Sequence, residues 1–99
     1  MNWHRIAEMY PLTYAEFNEW ATDDACSHWC DRDLYDFFDE KEIIVIIKKV
    51  RGELSFSYYI ITDMGVEYAM NLFESRCEAE QRAFEKAFEI YENKRKSIA

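Results

Sequence analysis

Between residues 23 and 33 the chain reads DDACSHWCDRD, with two cysteines, a histidine and four aspartates in eleven positions. Thiolates and imidazoles are the ligands zinc prefers, and Cys26 and Cys30 have the C-x2–4-C spacing of one half of a tetrahedral site. Cys77 or His4 could complete the set. Against this, no second close pair exists in the sequence. On a helix, residue 28 points roughly 160° away from residues 26 and 30, so the three could converge only if this stretch were a loop. The competing reading makes Cys26 and Cys30 small apolar residues on the buried side of a helix. That reading is preferred, with zinc through Cys26, Cys30 and Cys77 as the alternative.

Nucleophilic catalysis needs a thiol or hydroxyl beside a base that a third group orients. His4 and His28 are the only imidazoles in the chain, each next to a tryptophan, and neither sits in a recognisable catalytic pattern. There is no glycine-rich loop for a phosphate or dinucleotide. Carboxylates are so abundant that no particular pair stands out as an acid–base couple. The expectation is a protein that is not an enzyme and carries no cofactor.

The carboxylates matter more as a field. The net charge is −8. Residues 1–42 hold eleven acids against three bases, residues 43–62 one against three, and residues 63–99 eight against six. The deficit is densest over residues 23–42, with eight acids against two bases. Such a field repels nucleic acid and anionic membranes and attracts basic surfaces. Carboxylates spaced along a helix can also imitate a phosphate backbone and occupy a basic cleft. The candidate binding residues are Asp31, Asp36, Asp39 and Glu40. The bland alternative is a solvated face that keeps the protein soluble.

Ninety-nine residues, 49% apolar and 17% aromatic, are expected to form a single domain spanning 1–99, with one modest core. The longest apolar run, Ile43 to Ile47, is far too short to cross a bilayer. No apolar stretch follows Arg5 as a signal peptide would require, so a cytoplasmic location with reduced thiols is expected. The odd number of cysteines, three, fits that better than a disulfide framework.

The elements that would position these groups follow from period and capping. Thr13 and Glu16 form a T-x-x-E capping box with Pro11 just outside, and Tyr14, Phe17, Trp20 and Ala21 recur at helical spacing, which predicts a helix over 14–22. In the acidic stretch, Cys26, Cys30, Leu34 and Phe37/Phe38 share one face while Asp31, Arg32, Asp36 and Asp39 gather opposite, an amphipathic helix within 23–42. Asp24 or Ser27 could cap it, and Asp33 falls awkwardly inside its apolar stripe.

EIIVIIKKV reads as a strand over 43–50 and LSFSYYIIT as a second, joined by a turn at Arg51-Gly52 into an antiparallel hairpin. Residues 64–73 fit either period, and the turn signal Asp63-Met64-Gly65 favours a third strand. Ser75 with Glu78 forms a second capping box. Behind it, Cys77, Gln81, Phe84, Phe88 and Tyr91 trace a stripe on a helix over 76–96, with Glu78–Arg82 and Glu92–Lys96 as surface pairs. The architecture predicted is α+β: two N-terminal helices, an antiparallel meander of two or three strands, and a long C-terminal helix on the sheet. Tyr58, Tyr59, Ile61 and the five apolar residues of 43–47 exceed what one helical layer can cover. Either the N-terminal helices lie on the second face, or an exposed remainder serves a partner or a homodimer.

Two resemblances bear on this. The order helix, three strands, helix resembles that of double-stranded RNA-binding domains, which imply phosphate-gripping bases at the start of the last helix. Here that turn reads SRCEAE, one base against two acids, so direct nucleic-acid binding is not expected. ESRCEAEQRAFEKAFEIYE resembles the closing helix of small uncharacterised proteins of gut-bacterial phages and mobile elements. TYAEFNEW matches their TYxEAxxW-like opening at Thr13, Tyr14, Glu16 and Trp20, with Phe17 departing from it. That resemblance implies an accessory phage or mobile-element protein that acts by binding, and assigns no site residue; together with the acidic helix 23–42 the expectation is a modulator that binds a basic partner.

Overall fold

Alternation along residues 56–62 sends every second side chain to the same side of a strand, and the apolar run before it supplies a partner. A computed structural model of the chain describes residues 3–22, 31–50, 55–69 and 71–98. In it, β1 (Ile44–Lys49) and β2 (Phe56–Thr62) pair antiparallel, with Val45 opposite Ile60 and Ile47 opposite Tyr58. The predicted turn at Arg51-Gly52 lies outside the described residues. Beyond it Val50 N–H donates to the Ser55 carbonyl at 2.8 Å.

The ambiguous segment resolves as a third strand, β3 (Gly65–Tyr68), antiparallel to β2 with Thr62 opposite Gly65. A two-residue loop, Asp63-Met64, joins them, and Gly65 holds a φ of 129° that side chains rarely adopt. Thr62 Oγ1 accepts from Met64 N–H at 3.1 Å and closes the turn. The sheet order is β1-β2-β3, and Phe73 later returns to bridge Phe56.

Among the described residues four helices accompany the sheet: α1 (Trp3–Met9), α2 (Pro11–Thr22), α3 (Asp31–Glu40) and α4 (Arg76–Ile98). The class is α+β, with α4 packed on β1 and β2. None of the described helices is long and apolar enough to cross a membrane.

Helix α1 was not expected from the sequence; among the described residues three helices precede the sheet rather than two. Its period is hidden because seven residues bury one side chain fully, Ile6. Pro11 separates α1 from α2. Lacking an N–H, it cannot extend the α1 ladder, but its fixed φ suits the first position of a new helix. Helix α2 therefore starts at Pro11, with the Tyr10 carbonyl accepting its first bond, from Tyr14, at 2.9 Å.

Helix α3 ends in a six-residue closure. Ile43 N–H reaches back to the Phe38 carbonyl at 2.9 Å and Glu42 N–H to that of Asp39 at 3.1 Å, with Glu42 in the left-handed region at φ 62°. This is the Schellman pattern, and it places Ile43 against Phe38 in the core as the chain enters β1.

Helix α4 begins as predicted, with Glu78 N–H donating to Ser75 Oγ at 3.1 Å. Its buried stripe differs from the expected one. Ala79, Ala83, Phe84, Ala87, Phe88 and Tyr91 face inward, whereas Cys77 and Gln81 are exposed. Cys77 and Gln81 lie on the exposed side of the first turns of α4, while Ala79 and Ala83 of the same turns are buried.

The core is aromatic. Phe37 meets Phe17 and Phe38 edge-on at 5.2 Å each, and Phe38 meets Phe88 the same way. Trp3 stacks on Phe17 at 5.8 Å, which attaches α1 to the same cluster. Such edge-to-face contacts add to the gain from burying large rings. Below them, Glu16 of α2 draws in Lys41 at 3.2 Å and Arg95 at 3.9 Å, and Lys41 also lies over the Phe37 ring.

One expected surface pair is buried instead. Glu92 is 1% exposed, and its carboxylate accepts from Thr13 N–H at 2.8 Å, from Thr13 Oγ1 at 2.9 Å and from Leu12 N–H at 3.4 Å. Those are the second and third residues of α2, whose amides have no partner within the helix. Thr13 is therefore not the helix cap that T-x-x-E suggests. It lies one turn inside α2, and the cap comes from α4.

Candidate functional site

The amphipathic reading of α3 holds over the described part of 23–42. Leu34, Phe37 and Phe38 are buried, while Asp36, Asp39 and Glu40 are exposed. Asp33 is half-buried, at the border of the two faces. Of the four predicted binding residues, Asp31 opens the helix, and its side chain lies outside the described ones. Glu40 is already engaged, accepting from Trp20 Nε1 at 2.6 Å.

Asp36, Asp39 and the nearby Glu42 enter no ion pair among the described residues. Helix α4 differs in this respect. It balances its charges along its own surface through Arg76–Glu80, Arg82–Glu85 and Lys86–Glu89. Arg82 turns to Glu85 rather than to the expected Glu78. The base at the start of α4, Arg76, is therefore held by Glu80 at 3.3 Å.

Cys26, His28 and Cys30, with the candidate caps Asp24 and Ser27, lie outside the described residues. Cys77 is a free, exposed thiol on the first turn of α4, near Gln81 Nε2 at 3.5 Å. Among the described residues no three His, Cys, Asp or Glu side chains gather as metal ligands would. His4 pairs with Glu8 across one turn at 3.5 Å, and both side chains are largely in solvent.

Sequence reasoning did not anticipate a polar cleft of about 760 Å³ where α1 and α4 meet β2, β3 and the segment leading to α4. Tyr10, Tyr58 and Phe73 contribute aromatic walls, and Arg5, Arg82 and Lys86 contribute cations. Each cation is neutralised within the cleft. Arg5 meets Glu85 at 3.1 Å, Arg82 the same carboxylate at 3.9 Å, and Lys86 meets Glu89 at 3.2 Å. Burial, reinforced by Glu89, lifts the Tyr10 phenol above its usual range, and burial does the same to Tyr58. Burial opposes the charge on Lys86, but its bond to Glu89 outweighs this and holds the ammonium above its ordinary value. All three groups are pushed away from neutral pH, where a proton-transfer catalyst would be tuned. His4 does not line the cleft.

The second face of the sheet is the other feature. Residues opposite in register fall on the same face, so Ile44, Ile61 and Val66 form one row and Ile46, Tyr59 and Tyr68 the next. The first face, carrying Val45, Ile47, Tyr58 and Ile60, joins or borders the core. On the second, Tyr68 is 69%, Val66 45% and Ile44 43% exposed. The N-terminal helices do not shield these side chains, so the exposed remainder anticipated from the sequence is present. Comparison with protein-family models, with curated proteins and with solved structures finds no match to this chain.

Proposed function

We propose that this is a cytoplasmic, non-enzymatic protein–protein interaction module that engages a basic partner surface through the acidic face of α3. The observation that supports this reading is the one-signed face itself. With Leu34, Phe37 and Phe38 in the core, Asp36 and Asp39 are exposed without an ion pair among the described residues. Unpaired carboxylates on a rigid helix steer a basic partner and fix its register more than they add to affinity. The carboxylates of α4 that pair with its own lysine and arginines offer no such field.

The test is a pull-down from the native host with the wild-type protein and with Asp36→Lys/Asp39→Lys, eluted by a salt gradient. The wild type is expected to hold a basic protein that leaves as salt rises, and the charge-reversed variant to lose it with its circular dichroism unchanged. A partner held equally by both proteins would remove α3 from the interface. Release by nucleic acid of the partner's own target would identify the face as a phosphate-backbone mimic.

A further inference from the structure

The uncovered sheet face is a different surface from α3, and its charges select an occupant. Its rows run from wholly apolar to basic: Ile44–Ile61–Val66, then Ile46–Tyr59–Tyr68, then Lys48–Ser57. No acidic residue takes a position on this face within the three strands. Lys48 extends over the Tyr59 ring at 5.9 Å, and Lys49 follows it at the same end, both exposed.

The opposite end is acidic. Glu42, exposed, immediately precedes the Ile43-Ile44 entry to β1. Asp63 follows β2 at that end too, though Lys94 holds it at 3.4 Å. The face is therefore apolar in the middle, negative at one end and positive at the other.

We infer that this face binds a second copy of the chain, sheet against sheet, with the strands of the two copies antiparallel. An isologous contact presents the same patch twice, so each charge must find its complement on the same surface. A two-fold axis along the strands would bring like ends together. One across the strands places the Lys48 end of each copy over the Glu42 end of the other, and stacks the two apolar rows. Tyrosines at the centre suit such an interface, being large, partly apolar and able to hydrogen-bond. The net charge of −8 opposes association least here, because residues 43–62 form the net positive part of the chain, one acid against three bases. Charges remote from the contact are screened at physiological salt.

Sedimentation velocity over a nanomolar-to-millimolar dilution series tests this. The wild type is expected to pass from one chain mass to two. Tyr68→Glu, at an exposed position that the monomer core does not need, is expected to weaken the dimer about tenfold or more. Lys48→Glu and Glu42→Lys are each expected to weaken it, and the double exchange Glu42→Lys/Lys48→Glu to recover most of the loss. A wild type that stays monomeric throughout overturns the proposal and leaves the face to a different protein. A dimer that survives Tyr68→Glu uses another surface and overturns it equally. A dimer sensitive to Tyr68→Glu that the double exchange fails to restore overturns the antiparallel arrangement. None of these outcomes depends on whether α3 has a basic partner.

Discussion

The starts of α2 and α4 meet the same requirement by opposite means. Both must satisfy amides that have no partner inside their helix. At α4, Ser75 Oγ accepts from Glu78 N–H three residues on, in an exposed turn where water can serve the remaining donors. At α2, Thr13 is fully buried and water is excluded, so Glu92 supplies the acceptor from 79 residues away. A carboxylate suits this position, since the positive end of the helix dipole favours an anion there. The first helix start is a property of a short peptide. The second exists only once α4 has docked.

Mutations can separate the two. Glu92→Ala should be the most damaging change, leaving Thr13 N–H and Thr13 Oγ1 buried and unsatisfied and Leu12 N–H without its acceptor. A loss of about 3 kcal/mol or more in urea unfolding is expected, with Glu92→Gln intermediate because one carbonyl oxygen remains to accept. Ser75→Ala should cost about 1 kcal/mol, the usual worth of an exposed cap. If the two alanine variants proved equally destabilised, the buried and exposed starts would not differ as described. The end of α3 supplies the smallest effect. Glu42 sits at φ 62°, where a side chain is strained, so Glu42→Gly should stabilise by about 0.5 kcal/mol or slightly more in the same assay. Here the closure is made by backbone groups alone, and removing the side chain takes nothing from that closure.

The two faces of the sheet repeat the contrast between local pattern and assembled structure. Alternation in β2 places Tyr58 and Ile60 on one side and Tyr59 and Ile61 on the other, which was legible from period alone. Which side α4 would cover was not, because both are apolar. The same ambiguity affected α4. Its helical period was clear, but Ala79, Ala83 and Ala87 carry little hydrophobic signal although all are fully buried. Cys77 and Gln81 fitted the stripe by angle but are exposed. The acidic face of α3 was readable residue by residue at Asp36 and Asp39. The engagement of Glu40 by Trp20, twenty positions earlier, was not.

What the sequence determined by itself are features whose cause lies within a few residues. These are the hairpin, the turn at Asp63-Met64-Gly65, the Ser75 cap, the period of α4 and the separation of Asp36 and Asp39 from Leu34, Phe37 and Phe38. Each follows from steric preference or side-chain period, which act over one or two turns of chain. What only the tertiary structure decided are the cap from Glu92, the polar cleft and the face of the sheet left bare. Those depend on which groups burial brings together and which it strips of water. Burial is set by the whole chain, and for that reason Thr13 and Ser75, alike in sequence, end in different roles.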